Sequence, residues 1–242
     1  TTQHYVAAGG QGYQTPHTLV LDEPSNLRVA PTGINYLLIT HPDFYASAVT
    51  LAQYREAVSG LRTQIVKLDD IYDAFNDGIA NPQAIRDYLT YAYTSTAPAP
   101  PDYVLLLGDA TLDYHTNFPV KMPNFVPTQV MTSTLFGEVP SDNWFVMLAG
   151  NDPIPEMFIG RLVAQTPAEA ATMVAKIMSY QPDATWNTKT LFVADDDESK
   201  FRTNSDELMQ SLPHGYLTTT VYVTNTVPVT TYRNQIINTI ND

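Results

Sequence analysis

From residue 34 onward, short apolar runs alternate with stretches of helical period. "NYLLIT" (35–40) is a continuous apolar run of strand length, consistent with a strand buried on both faces. "DFYASAVTLAQYREAVSG" follows with apolar residues at helical spacing, and Gly60 is placed to end that helix. "RTQIVKL" (62–68) alternates like a strand. Asn81 and Pro82 then form a helix start, an N-cap followed by a proline whose missing N–H costs nothing at that position. Ile85, Leu89 and Tyr93 supply the apolar stripe behind it. "STAPAPP" (95–101) is a stiff loop, and "DYVLLLGD" (102–109) reads as a buried strand. Strand, helix, strand, helix, strand in this order predicts an α/β fold on a parallel sheet.

Residues 110–143 carry many Pro, Thr and Asn and read as long loops. "WFVMLAGND" and "MFIGRL" read as two more apolar strands with an acidic, Pro-containing turn between them. "TPAEAATMVAKIMSYQ" opens with Thr166 and Glu169 at capping-box spacing. Residues 182–188 read as a linker. A second α/β run then begins, with strand 189–194, helix at about 203–212, strand 217–224 and helix at about 230–241. Residues 1–33, rich in Gly, Thr and Pro, read as an extended lead-in.

Composition narrows the function. The chain has 242 residues, 44% apolar and 15% charged, which is a globular balance with room for one large domain or two subdomains. A net charge of -13 disfavours nucleic acid and anionic membranes, and it suits hard cations where acids gather. There is no cysteine, so disulfides, thiolate metal sites and a cysteine nucleophile within the chain are excluded. No apolar run approaches the roughly 18–20 residues of a membrane span. No secretory signal opens the chain, so either one has been removed or the chain is a piece of something longer.

In "GNDPIPEMFIGR" (150–161), Asp152 and Glu156 stand in a turn before an apolar run. Carboxylates there either face solvent or join backbone carbonyls around a calcium ion, and Asp109 at the end of "LLLGD" could supply a third carboxylate. "ADDDES" (194–199) is a second acidic cluster, at the strand edge where ligands of open parallel sheets bind, with a solvated loop as the plainer reading. Asp206 sits near a helix start, with Asn204 or Ser205 as cap, and either complements the helix dipole or lines a pocket for a basic side chain. His4, His17, His41, His115 and His214 have no metal-like spacing; His41, after a buried strand, reads as a hydrogen-bonded structural histidine. G-x-S-x-G and Gly-rich phosphate-loop signatures are absent, as are basic patches interleaved with aromatics.

The strings "YLLITHPDF", "LDDIYDAFNDGIANPQAIRDYLTYAY", "PDYVLLLGDATLDY", "VPTQ", "SDNWFVML", "GNDPIPEMFIGRL" and "KIMSYQ" resemble, in order and spacing, the N-terminal part of the catalytic domain of gingipain-like cysteine peptidases, family C25. The resemblance covers about residues 34–242. It implies a caspase- and gingipain-like three-layer α/β/α fold: a first subdomain over 34–181 and the truncated start of a second over 189–242. It implies proteolysis by a Cys–His dyad lying beyond this chain, so that the chain alone is inactive. It also implies a structural calcium held by Asp109, Asp152 and Glu156 with backbone oxygens of Ala149 and Ile154, and a substrate-binding role for Asp206. Pro153 and Pro155 depart from the more Asp/Gly-rich turn of many relatives.

The expected partners are a protein or peptide substrate of the intact enzyme and the remaining C-terminal half of the catalytic domain. Neither nucleic acid nor a membrane span is expected. The expected location is extracellular or at the cell surface. The alternative is a non-catalytic relative that uses the fold for binding or secretion.

Overall fold

Chain segments that are apolar at every position can only be satisfied where both faces of a sheet are covered. The structure, a computed structural model, describes residue 21 and residues 24–113, 119, 122–150, 152–181 and 186–241. The chain divides into two units, residues 1–179 and 180–242.

In chain order the first unit contains β1 (Tyr36–Thr40), α1 (Tyr45–Ser59), β2 (Thr63–Lys67), α2 (Leu68–Asn76), α3 (Pro82–Ser95) and β3 (Tyr103–Leu107). β4 (Gln129–Ser133), β5 (Gly137–Ser141), β6 (Phe158–Leu162) and α4 (Pro167–Ser179) follow. The main sheet is fully parallel in the order β2-β1-β3-β6. All five residues of β1 are buried. Successive side chains alternate between faces: Leu37, Ile39, Val104 and Leu106 pack with Ile71, Ile85 and Leu89 of α2 and α3. Leu38 and Leu107 pack on the other face with Ala48 and Leu51 of α1 and Val174 of α4. The result is an α/β/α sandwich with the sheet in the middle.

The predicted helix ends hold in atomic detail. Gly60 ends α1 in the left-handed region (φ 66°), its N–H donating to the Arg55 carbonyl. Asn81 caps α3 by accepting from the Gln83 N–H at 2.8 Å. At α4 the Thr166 hydroxyl accepts from the Glu169 N–H (3.2 Å), but the Glu169 carboxylate reaches back to the amide of Gln165 (2.8 Å), one residue before the cap.

Three expectations need correction. "WFVMLAGND" is not a strand: Asn143–Val146 is a 3-10 turn whose Phe145 and Val146 are fully buried. An apolar run reports burial and not backbone geometry, so a buried turn looks the same in sequence. Residues 110–143 are not all loop, because β4 and β5 form an antiparallel hairpin closed at Gly137 (φ 71°). The third lies in the second unit. There β7 (Lys189–Ala194) pairs in parallel with β8 (Leu217–Tyr222), flanked in sequence by α5 (Ser199–Ser211) and α6 (Val229–Asn241). α5 thus starts at Ser199, after an extended Glu198, and Asp206 lies in mid-helix, outside the first turn. Most of the lead-in, residues 1–20, 22 and 23, lies outside the described residues.

Candidate functional site

The carboxyl end of a parallel sheet is where its loops converge. Here the backbone ladder runs past the strands: His41 N–H reaches the Leu107 carbonyl, Gly108 N–H the Leu162 carbonyl, and Asp109 N–H the Ala164 carbonyl. Gly108 has φ +142°, and a Cβ there would lie 2.9 Å from the Phe125 Cβ and 3.0 Å from Val126 Cγ2. Only glycine lets the 125–126 segment come this close, and both its amides then donate to the Asp109 carbonyl (3.0 and 3.1 Å). The His41 ring packs edge-on against Phe125 (5.1 Å), and its Nδ1 accepts from the Asp43 N–H at 3.2 Å.

Arg161 sits beneath this edge with a side chain 9% exposed. Its Nε and Nη2 donate to the two carboxylate oxygens of Asp142 (2.8 and 2.7 Å). Its Nη1 donates to the carbonyls of Gly108 (2.8 Å) and Val126 (2.6 Å), and Nη2 also reaches the Pro127 carbonyl (3.3 Å). One guanidinium therefore ties β6 to the end of β3, to the 126–127 segment and to the exit of β5. A cavity of about 270 Å³ beside it is lined by Asp109, Thr111, Thr128, Asp142 and Arg161. Sequence reasoning passed over Arg161 and Asp142. The available signal was a basic residue inside the apolar string "FIGRL", since a buried cation must be paired.

The acidic turn lies elsewhere. β3 and β6 pair in register from Tyr103↔Phe158 to Leu107↔Leu162. Glu156 precedes β6 at the amino edge of the sheet, and Asp109 follows β3 at the carboxyl edge. The strands between them span about 13 Å, four steps of roughly 3.3 Å. The three carboxylates expected to share one cation are therefore not brought together, and Asp109 is the one displaced. Its own carboxylate accepts from the Ala110 N–H and the Gln165 side-chain amide, both at 2.8 Å. Among the described residues no three His, Cys, Asp or Glu side chains converge as a metal centre.

Asp152 and Glu156 do share one turn. Glu156 closes it by accepting from the Leu148 N–H (2.5 Å) and donating its own N–H to the Val146 carbonyl (2.9 Å). Asp152 accepts from the Ile154 N–H (3.0 Å), and Gly150 turns the chain at φ 72°. Arg86 of α3 anchors the turn through the Met147 carbonyl (2.6 Å). One carboxylate oxygen of each acid is engaged by a backbone amide; with the exposed Ala149 and Ile154 beside them, the turn presents the oxygen-only donors that suit a hard cation.

In the second unit the Tyr222 hydroxyl donates to Asp206 at 2.5 Å, and the Arg202 guanidinium stands 5.5 Å from the Tyr222 ring centroid. The hydrogen bond to Asp206, chiefly, raises the Tyr222 phenol above its ordinary value. In the acidic loop after β7, Asp195 is raised above the usual carboxylate range, first by its hydrogen bond with Asp197.

Comparison with known proteins follows the same outline. The chain is similar to the Porphyromonas gingivalis RgpB pro- and mature-domain complex at 19% identity and a TM-score of 0.54, covering 79% of this chain and 42% of that one. It is similar to dimeric latent PorU from Porphyromonas gingivalis at 23% identity and a TM-score of 0.49, covering 60% of this chain and 15% of that one. The chain thus spans less than half the length of either solved structure. A comparison with the curated proteins finds no match. The family model described as peptidase family C25 matches residues 29–242, nearly the whole sequence. On that match, and with an α/β/α sandwich of the same outline as RgpB, the chain belongs to peptidase family C25.

Proposed function

We propose that this chain is part of the catalytic domain of a gingipain-like cysteine endopeptidase whose Cys–His dyad is supplied by polypeptide outside it. The observation that carries this reading is a family match over residues 29–242 in a chain without a cysteine. In such an enzyme the thiolate attacks the peptide carbonyl while the histidine shuttles the proton and backbone amides hold the oxyanion. The present residues supply scaffold. The second unit supports the need for further polypeptide. Its parallel sheet has only two described strands, and Val193, Phe201, Leu208 and Ile240 stay 47–69% exposed. Parallel sheets are stable when both faces are covered. The intact protein would act on protein substrates outside the cell or at its surface. Among the described residues no helix is long and apolar enough to cross a membrane. Asp206 would meet a basic substrate side chain by exchanging its Tyr222 partner.

Calcium belongs to this reading in a reduced form: the carboxylates of Asp152 and Glu156 and the carbonyls of Ala149 and Ile154 would hold it, stabilising the turn before β6. The purified chain should show no turnover of fluorogenic peptides, and cleavage that co-purifies with the chain and persists after thiol alkylation would overturn the proposal. Calcium should raise the melting temperature relative to EDTA. Asp152→Ala should remove that shift, whereas Asp109→Ala should leave it, because Asp109 stands at the opposite sheet edge. Equal melting of the wild type in both buffers would remove calcium from the proposal.

A further inference from the structure

β4 and β5 pair with each other and, among the described residues, with no third strand. A two-stranded hairpin standing by itself is marginally stable in water. No residue of either strand is buried, so opening this arm uncovers little apolar surface. Its tip is nonetheless apolar: Leu135 is 83% exposed and Phe136 78% exposed. The Ser133 hydroxyl accepts from the amides of both (3.2 and 3.3 Å), and Gly137 completes the turn in the left-handed region.

The roots of the arm are held differently. Arg161 binds the Val126 and Pro127 carbonyls ahead of β4 and the Asp142 carboxylate behind β5. The buried Thr128 adds a hydroxyl bond to Asp142 across the neck (3.0 Å). Opening of the tip therefore stops at this neck. A break in the arm would divide the main sheet between two pieces without parting them. β1, β2 and β3 would lie in one piece and β6 in the other, and β6 is hydrogen-bonded to β3 along its length. Val174 of α4 also packs in one cluster with Leu38 of β1 and Leu51 of α1.

An endopeptidase takes its substrate as an extended segment, so a folded protein is cut where the chain is exposed and opens locally. Two large apolar residues at the tip suit an enzyme with an apolar specificity pocket, and the glycine after Phe136 sets no bulk against it.

We infer that the tip of this arm is a cleavage site for a separate endopeptidase of apolar specificity, that the arm opens to be cut after Phe136, and that the cut protein stays one folded body. The step is a hydrolysis. The water oxygen joins the Phe136 carbonyl carbon, the bond to the Gly137 nitrogen breaks, and both water protons pass to that nitrogen, leaving a carboxylate and an ammonium. The inference concerns the first unit and does not rest on the peptidase reading.

The test is brief digestion of the full chain with chymotrypsin, each new terminus being assigned by mass spectrometry. The bond after Phe136 should be cut ahead of every other bond in residues 24–113, 122–150 and 152–181. The two pieces should elute together in native buffer, at the volume of the intact chain, and separate in urea. Thr132 and Glu138 are exposed and directly paired, so a Thr132→Cys/Glu138→Cys variant locks the arm with a disulfide in a chain that has no other thiol. Oxidised, it should be cut at this bond about tenfold or more slowly than when reduced, because the locked arm cannot open. A first cut elsewhere in those segments, pieces that part in native buffer, or equal cutting of the oxidised and reduced variant would each overturn the inference.

Discussion

Replacing Arg161 by Ala should destabilise the first unit by about 3 kcal/mol, through loss of a buried, fully committed guanidinium. Five hydrogen bonds disappear: two charge-assisted bonds to Asp142 and three to the carbonyls of Gly108, Val126 and Pro127. The larger cost lies in what remains. An unsatisfied buried acceptor costs about 1–3 kcal/mol, and breaking a buried ion pair from one side about 3–5 kcal/mol. Asp142 is 25% exposed and regains some water, which places the loss near the lower end of that range. Arg161→Lys keeps the charge but not the fork that spans both carboxylate oxygens, so it should recover less than half of the loss. The assay is urea unfolding followed by Trp144 fluorescence in a Trp186→Phe background, which leaves one tryptophan, in the first unit. A loss below about 1 kcal/mol for Arg161→Ala would refute the reasoning, because that is the scale of an exposed pair. Full recovery by lysine would show that charge alone, and not bidentate geometry, holds the sheet edge together.

Four further outcomes follow from individual positions. Tyr88 has a buried hydroxyl with no partner among the described residues, and burial raises its phenol strongly. Tyr88→Phe should stabilise by about 1 kcal/mol in the same unfolding assay, and a loss would reveal a partner for the hydroxyl. Gly108→Ala should cost about 2 kcal/mol or more, since the added Cβ meets the Phe125 Cβ and the backbone stays at positive φ; a neutral result would mean that the 125–126 segment moves freely. Asn81→Ala should cost about 1 kcal/mol by removing the α3 cap, and an unchanged midpoint would mean that the cap is replaced. The raised Tyr222 phenol should return to its ordinary value in Asp206→Asn, read by ultraviolet absorbance at alkaline pH. The sign is that of a raised folded-state value: the stabilisation is present below the ordinary phenol range and lost as pH rises through the folded value. An unshifted titration in that variant would assign the shift to another group.

The calcium expectation shows where sequence reading stops. Asp152, Ile154 and Glu156 lie within five residues, and their turn closes by local hydrogen bonds, so their grouping was visible in the string itself. Asp109 was joined to them from its place at the end of the "LLLGD" strand and by the resemblance, without any local contact along the chain. Whether it stands beside them depends on the register of β3 against β6, a contact between chain segments more than fifty residues apart. The Arg161–Asp142 pair was overlooked for a related reason. The partners are 19 residues apart, Arg161 in β6 and Asp142 at the exit of a hairpin whose polar strands carry only a weak period-two pattern.

What the sequence determined by itself was whatever short-range physics settles. The apolar runs at 35–40 and 102–109 had to be buried strands and 189–194 a strand, Gly60 and Asn81–Pro82 had to bound helices, and a chain without cysteine could hold no thiol chemistry. The tertiary structure alone decided that "NWFV" turns instead of extending, that α5 begins at Ser199, and that two acids read as partners stand at opposite edges of one sheet. Backbone torsions and caps are settled by neighbours along the chain. Register, and the pairing of buried charges, are settled by segments that meet only after the chain has closed on itself, where packing and hydrogen-bond satisfaction select one arrangement.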